Sequence, residues 1–134
     1  MSLTALKAAV VTALGSVTTL NRVYDQWPEN INETPCALVL PKTGQFQILG
    51  GRNMKHNLEV VVLVRRVGDI QQGQEDLDSF LDDSTGTGSI VYAVENTAGY
   101  SVRVVGYRDY GGLEYPPGSG NVYLGVRFDV ECLA

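Results

Sequence analysis

The sequence has one histidine, His56, one tryptophan and two cysteines, Cys36 and Cys132, in 134 residues. Zinc takes three or four ligands from Cys, His and carboxylate, so a site built on Cys and His is nearly excluded. Two cysteines so distant in sequence make no disulfide framework. A bridge between them is possible only if their strands are neighbours. Positive charge is scarce as well: ten Lys and Arg stand against fifteen Asp and Glu, and the net charge is −5 with a pI near 4.7. A duplex-DNA reader needs a basic face to displace counterions from phosphate, and this balance argues against one. The longest apolar-rich run, residues 58–64, includes Glu59 and is far shorter than the ~20 residues of a membrane span. No charged segment precedes the apolar N-terminal stretch, because Lys7 lies inside it. The helical spacing of Leu3, Leu6, Val10, Leu14 and Val17 predicts an amphipathic helix there rather than a signal peptide.

What is present suits one core. The chain is 44% apolar and 19% charged, enough to fold as one domain over residues 1–134. Ser2 can cap the first helix and Gly15 can stop it. Residues 22–25 read as a short strand that ends at Trp27-Pro28, and residues 28–35 as a polar loop. Residues 36–40 read as a buried strand closed by Pro41. Residues 42–54 are ambiguous between a surface loop and an extended arm or hairpin leg, since Phe46 and Ile48 alternate among three glycines.

Residues 55–67 predict a long strand with two apolar faces. Leu58, Val60, Val62 and Val64 share one face, and Glu59, Val61, Leu63 and Arg65 the other. One face is expected to meet helices. The other needs cover from the rest of the chain or from another subunit. Residues 69–83 predict a helix, with Asp69 and Gln72 resembling a capping box and Ile70, Leu77, Phe80 and Leu81 as its apolar stripe. Its outer face holds Glu75, Asp76, Asp78, Asp82 and Asp83 without a base. Acid near a helix C-terminus opposes the dipole by ~0.3–1 kcal/mol per site, so the helix either ends early or faces a partner.

A Ser/Thr/Gly connector leads to a short third helix near residues 90–94, capped by Thr87 or Ser89. A strand is expected over residues 101–109, then a long hairpin connection over residues 111–120. Over residues 121–132 the last strand alternates, with Val122, Leu124, Val126, Phe128, Val130 and Cys132 on its dry face. The expected fold is α+β. Its sheet is largely antiparallel, its helices pack on one face, and its order is α-β-β-β-α-α-β-β.

No chemistry-bearing motif emerges. Gly86-Thr87-Gly88 lacks a third glycine and a phosphate-binding lysine. His56, at the start of a strand, is read as structural or solvent-facing. Both cysteines fall on apolar strand faces, where thiols are inert. No catalytic residue, cofactor or metal is therefore expected. Surface association is the better use of what remains. The loops are expected to expose Phe46, Ile48, Leu49, Leu113 and Tyr115. One contact patch is expected on Phe46, Ile48, Leu49 and Arg52, and a second on Tyr107, Tyr110, Tyr123 and the neighbouring Leu113 and Tyr115. Arg and Tyr interleave on the final hairpin in a way that also suits stacking on single-stranded bases, but the same residues are enriched in protein interfaces.

Several segments together carry a family resemblance. They are Val23-Tyr24-Asp25-Gln26-Trp27-Pro28, then Pro35-Cys36-Ala37-Leu38-Val39-Leu40-Pro41, the acidic Gln74-Glu75-Asp76-Leu77-Asp78-Ser79-Phe80-Leu81, Tyr110-Gly111-Gly112, and Tyr123-Leu124-Gly125-Val126-Arg127-Phe128-Asp129-Val130. In this order the chain resembles the small tail-terminator (tail-completion, minor tail or neck) proteins of long-tailed bacteriophages. The resemblance implies a structural virion protein and no enzyme. It implies a homo-oligomeric, six-membered ring on the finished tail tube, assembled in the host cytoplasm. The partners implied are the subunit itself, the tail tube protein and the head-tail connector or head-completion protein. DNA would pass through without specific binding, past an acidic or mixed lining to which the acidic helix is one candidate contributor. The alternatives are another head-tail joining or tail tube component, and a small cellular ligand- or single-stranded nucleic-acid-binding domain.

Overall fold

The computed structural model describes residues 3–17, 20–26, 28, 31, 33–46, 54–66, 70–81, 89–115, 117–118 and 120–133. The elements follow in the order α1 (Leu3–Leu14), β1 (Arg22–Tyr24), β2 (Cys36–Phe46), β3 (Met54–Arg66), α2 (Ile70–Leu81), α3 (Ile90–Glu95), β4 (Ser101–Glu114) and β5 (Val122–Leu133). This is the α+β order read from the sequence. The strands form one sheet in the order β1-β2-β3-β5-β4, antiparallel except for the β1–β2 pair.

All three helices cover one face. Leu6, Val10 and Leu14 of α1, Leu77 and Phe80 of α2, and Ile90, Ala93 and Val94 of α3 are buried there. They meet Leu58, Val60, Val62 and Val64 of β3 and Val126, Phe128, Val130 and Cys132 of β5. These are the two alternating rows that strand periodicity picked out. The opposite face is dry at one end only. There Cys36, Leu38, Leu40, Val61, Leu63 and Tyr123 are covered by Tyr115, with Leu113, Tyr24 and Ile31 at the margin. The cover asked for by the second apolar face of β3 thus comes from this chain. Tyr115 Oη donates to the Pro28 carbonyl, which ties the β4–β5 hairpin down across the sheet.

Two boundaries differ from the sequence expectations. Pro41 does not close β2. The strand continues to Phe46 through a register shift between Pro41 and Thr43, and Phe46 pairs with Met54. Proline is tolerated because β1 pairs only as far as Leu38, so the outer side of β2 beyond it carries no ladder to break. The ambiguous stretch is therefore a hairpin leg at both ends; Ile48, Leu49 and Arg52 lie outside the described residues.

Likewise β4 does not stop at Asp109 but runs to Glu114, pairing with Val122. It survives its glycines through two register shifts, between Val104 and Gly106 and between Arg108 and Gly111. Asp109 takes φ 59° and Gly111 φ 149° at the second. Such bulges bend a strand without ending it. The connection expected over ten residues is correspondingly shorter.

The acidic helix is described over Ile70–Leu81; Asp69, Asp82 and Asp83 lie outside the described residues. The third helix takes Ser89 as its cap, the Ser89 Oγ accepting from the Tyr92 N–H at 3.1 Å.

Candidate interaction face

The histidine and both cysteines are buried. His56 is 8% exposed, and its Nε2 has no hydrogen-bond partner. It is therefore an interior residue and not a solvent-facing one. Across the ladder it stands directly opposite Cys132, a neighbour that no local pattern could reveal because 76 residues separate them. Burial pushes the Cys132 thiol up to about 11, away from the thiolate a nucleophile needs. Burial pushes Cys36 up to about 12, although a backbone hydrogen bond from Leu63 works the other way. Cys36 pairs with Leu63 and Cys132 with His56, and they belong to the clusters on opposite sheet faces. They are free thiols, not a disulfide. Among the described residues no group of three His, Cys, Asp or Glu could hold a metal. No described helix is long and apolar enough to cross a membrane.

The residues expected to form contact patches separate. Tyr107 and Tyr110 are exposed, at 58% and 37%. Tyr123 and Tyr115 are buried, and Leu113 is half-buried against them. The patch of Tyr107, Tyr110 and Tyr123 therefore does not exist as one surface. Beyond its first bulge β4 pairs Tyr107 with Phe128, on the helix side, whereas Tyr123 lies in the other cluster. Leu113 and Tyr115 do not project as loop residues. They fold over the apolar end of the open face, because the bulges let β4 continue past Gly111-Gly112 and curl back. Tyr110 Oη donates to Asp78 of α2 at 3.0 Å. Burial first, then this hydrogen bond and the Asp78 charge, raise the Tyr110 pKa.

Sequence reasoning missed the main polar construction. On the open face Arg108 Nη2 donates to Glu59 Oε2 at 2.9 Å, Arg127 Nη1 donates to Glu59 Oε1, Arg127 Nε lies 3.4 Å from Asp109 Oδ2, and Arg108 Nη1 donates to the same Oδ2 at 2.8 Å. These four side chains close a cycle of alternating charge across β3, β5 and β4. Asp129 extends it, accepting from Arg108 Nε at 3.3 Å and from Lys42 Nζ of β2 at 3.2 Å. The left-handed backbone at Asp109 swings its carboxylate between the two guanidinium groups. Burial works against the Arg108 charge, but the Asp129 hydrogen bond and the charges of Glu59, Asp129 and Asp109 outweigh it and raise its pKa. The one signal in the sequence was the polar row Arg127, Asp129, Glu131 on the last strand. Its partners come from distant strands.

No family model and no curated protein matches the chain.

The face next to the cycle is shallowly concave and lined by Lys42, Thr43, Asn57, Val105, Asp129 and Glu131. Its chemistry is that of ion pairs and hydrogen bonds, with Asn57 Nδ2 donating to Thr43 Oγ1 at 2.7 Å and Lys55 Nζ 3.2 Å from Glu131 Oε1. Such a surface suits docking.

Proposed function

We propose that this chain is a structural subunit of a long-tailed phage particle, built like the tail-terminator proteins it resembles. It forms a ring, six-membered in that family, at the end of the tail tube, ends tube growth and offers a surface to the head's connector.

One observation carries this reading. Among the described residues the exposed large apolar side chains are Tyr92, Val105, Tyr107, Tyr110 and Val122. Three sit on β4, one on its partner β5 and one on α3, which packs against β4. Scattered apolar exposure means little, but exposure gathered along one flank marks a contact surface. The flank is also guarded against strand addition. Glu95 accepts from the outward Val104 N–H at 3.2 Å, and both bulges of β4 break its edge; on the far side Pro41 and the shift beside it do the same for β2. Edges so blunted do not recruit another strand, so subunits join through side chains.

Native mass spectrometry of the purified chain, alone and with tail tubes, tests this. Closed rings, formed spontaneously or on tubes, are expected, and Tyr107→Asp should prevent them while leaving the far-ultraviolet circular dichroism unchanged. A chain that remains monomeric with tubes present and instead binds single-stranded nucleic acid overturns the proposal.

A further inference from the structure

Charge is unevenly divided between the two sides of the sheet. The described open face gathers Arg22, Lys42, Lys55, Arg103, Arg108 and Arg127, six of the chain's ten basic residues. Against them stand Glu59, Asp109, Glu114, Asp129 and Glu131, five of fifteen carboxylates. The face is positive by one charge on a chain whose net charge is −5. Arg103 is exposed opposite Glu131, outside the ion-pair cycle. Val105, 53% exposed, lines the concavity on this face and so connects it to the apolar flank of β4.

The helix side is the reverse. The segment of α2, IQQGQEDLDSFL, contains no lysine or arginine, and Glu75 and Asp78 are exposed on it. Asp78 lies in the last turn of α2, where the dipole is already negative. A cationic surface brought against it relieves that repulsion. Strands of 11 to 14 residues make a four-strand face of roughly 40 by 15 Å; Tyr115 and Leu113 cover one end of it, and the uncovered remainder supplies part of the ~800 Å² per partner that a stable contact buries.

We infer that the open sheet face is one half of a head-to-tail contact whose other half is the acidic outer face of α2 on a second copy of this chain. The inference deepens the ring proposal and rests on it for its biological setting. The two surfaces are unlike and lie on opposite sides of the sheet, as heterologous assembly requires. The ion-pair cycle holds Arg108 and Arg127 in fixed positions, so the incoming carboxylates meet an ordered surface. The rim residues Arg103 and Lys55 set specificity and encounter rate.

Two charge-reversed variants test it. One carries Arg103→Glu and Lys55→Glu, the other Glu75→Lys and Asp78→Lys. Each is checked by circular dichroism and then by light scattering after size exclusion, with sedimentation as a second measure. Each alone should associate at least tenfold more weakly than the native chain. Mixed in equal amounts they should recover the native oligomer, because every sheet-to-helix contact between unlike copies is again attractive. Association of the native chain should also weaken as salt rises from 0.05 to 0.5 M. Variants that assemble as the native chain does, a mixture no larger than its components, or a native chain that is monomeric at hundreds of micromolar would each overturn the contact. If the swap restores an oligomer that is not a closed ring, the ring proposal fails and the contact stands. If rings form from either variant alone, the contact fails and the ring proposal stands.

Discussion

His56 shows how alternation can fix a residue's row while leaving its environment open between interior and solvent. Alternation puts it on the row of Leu58, Val60 and Val62, and the structure buries it with an unpartnered Nε2. Across the hairpin Gly44 leaves room for the ring; a Cβ there would come within 3.2 Å of His56 Nδ1. A buried polar atom without a partner forfeits its hydration, at a cost of about 1–3 kcal/mol. His56→Leu should therefore leave stability unchanged or raise it by about 1 kcal/mol, seen as an unaltered or higher urea midpoint. A fall of 2 kcal/mol or more would show that the imidazole has a partner after all. The burial of Leu113, Tyr115 and Tyr123 has a similar lesson. Each sits in or beside a glycine-rich stretch that looks exposed in sequence, and each ends on the apolar end of the open face.

At the scale of elements, the bulges decide most of what departs from expectation. Pro41 and the Gly111-Gly112 pair look like strand ends, and both are absorbed by a register shift. The extra length of β4 brings Leu113 over Gly125 of β5, where backbone and side chains meet very closely. A Cβ on Gly125 would lie 2.5 Å from the Val62 carbonyl oxygen, 2.9 Å from Leu63 Cδ2 and 3.1 Å from Leu113 Cδ1. The first contact is with backbone of the central strand, which cannot move without breaking the β3–β5 ladder. Gly125→Ala should therefore cost roughly 2–3 kcal/mol, measured as a lowered urea midpoint with the denaturant slope kept. The helices were more legible, since their stripes depend on residues only three and four apart. Ser89 illustrates this: its place just ahead of an apolar run makes it, with Thr87, one of two expected caps, and its Oγ accepts from Tyr92 N.

For the molecule as a whole, the two thiols couple stability to alkaline pH. Their folded values, about 12 for Cys36 and about 11 for Cys132, lie above the ordinary 9.0 because burial disfavours thiolate. The folded state then holds protons that the unfolded state releases. Their stabilisation is complete below pH 9 and is lost as pH rises from 9 toward 11 and 12. The slope is about 1.4 kcal/mol per pH unit for each thiol. Urea unfolding at pH 8, 9.5 and 10.5 should show this fall, and a variant with Cys36→Ala and Cys132→Ala should show a shallower one. Equal slopes in the two proteins would place the alkaline sensitivity elsewhere.

By itself the sequence determined the element order, the rows of β3 and β5 that face the helices, the helix stripes and the shortage of reactive groups. All of these follow from periodicity or composition within a few neighbouring residues. Tertiary structure decided the rest. The cycle of Glu59, Arg108, Arg127 and Asp109 joins three strands, the pairing of His56 with Cys132 depends on strand register, and Tyr115 covers the second apolar face by crossing the sheet. Which charges meet, and which aromatic rings stay exposed, depends on contacts between residues far apart along the chain. Alternation within one strand assigns a face, but only the neighbouring strands determine what that face meets.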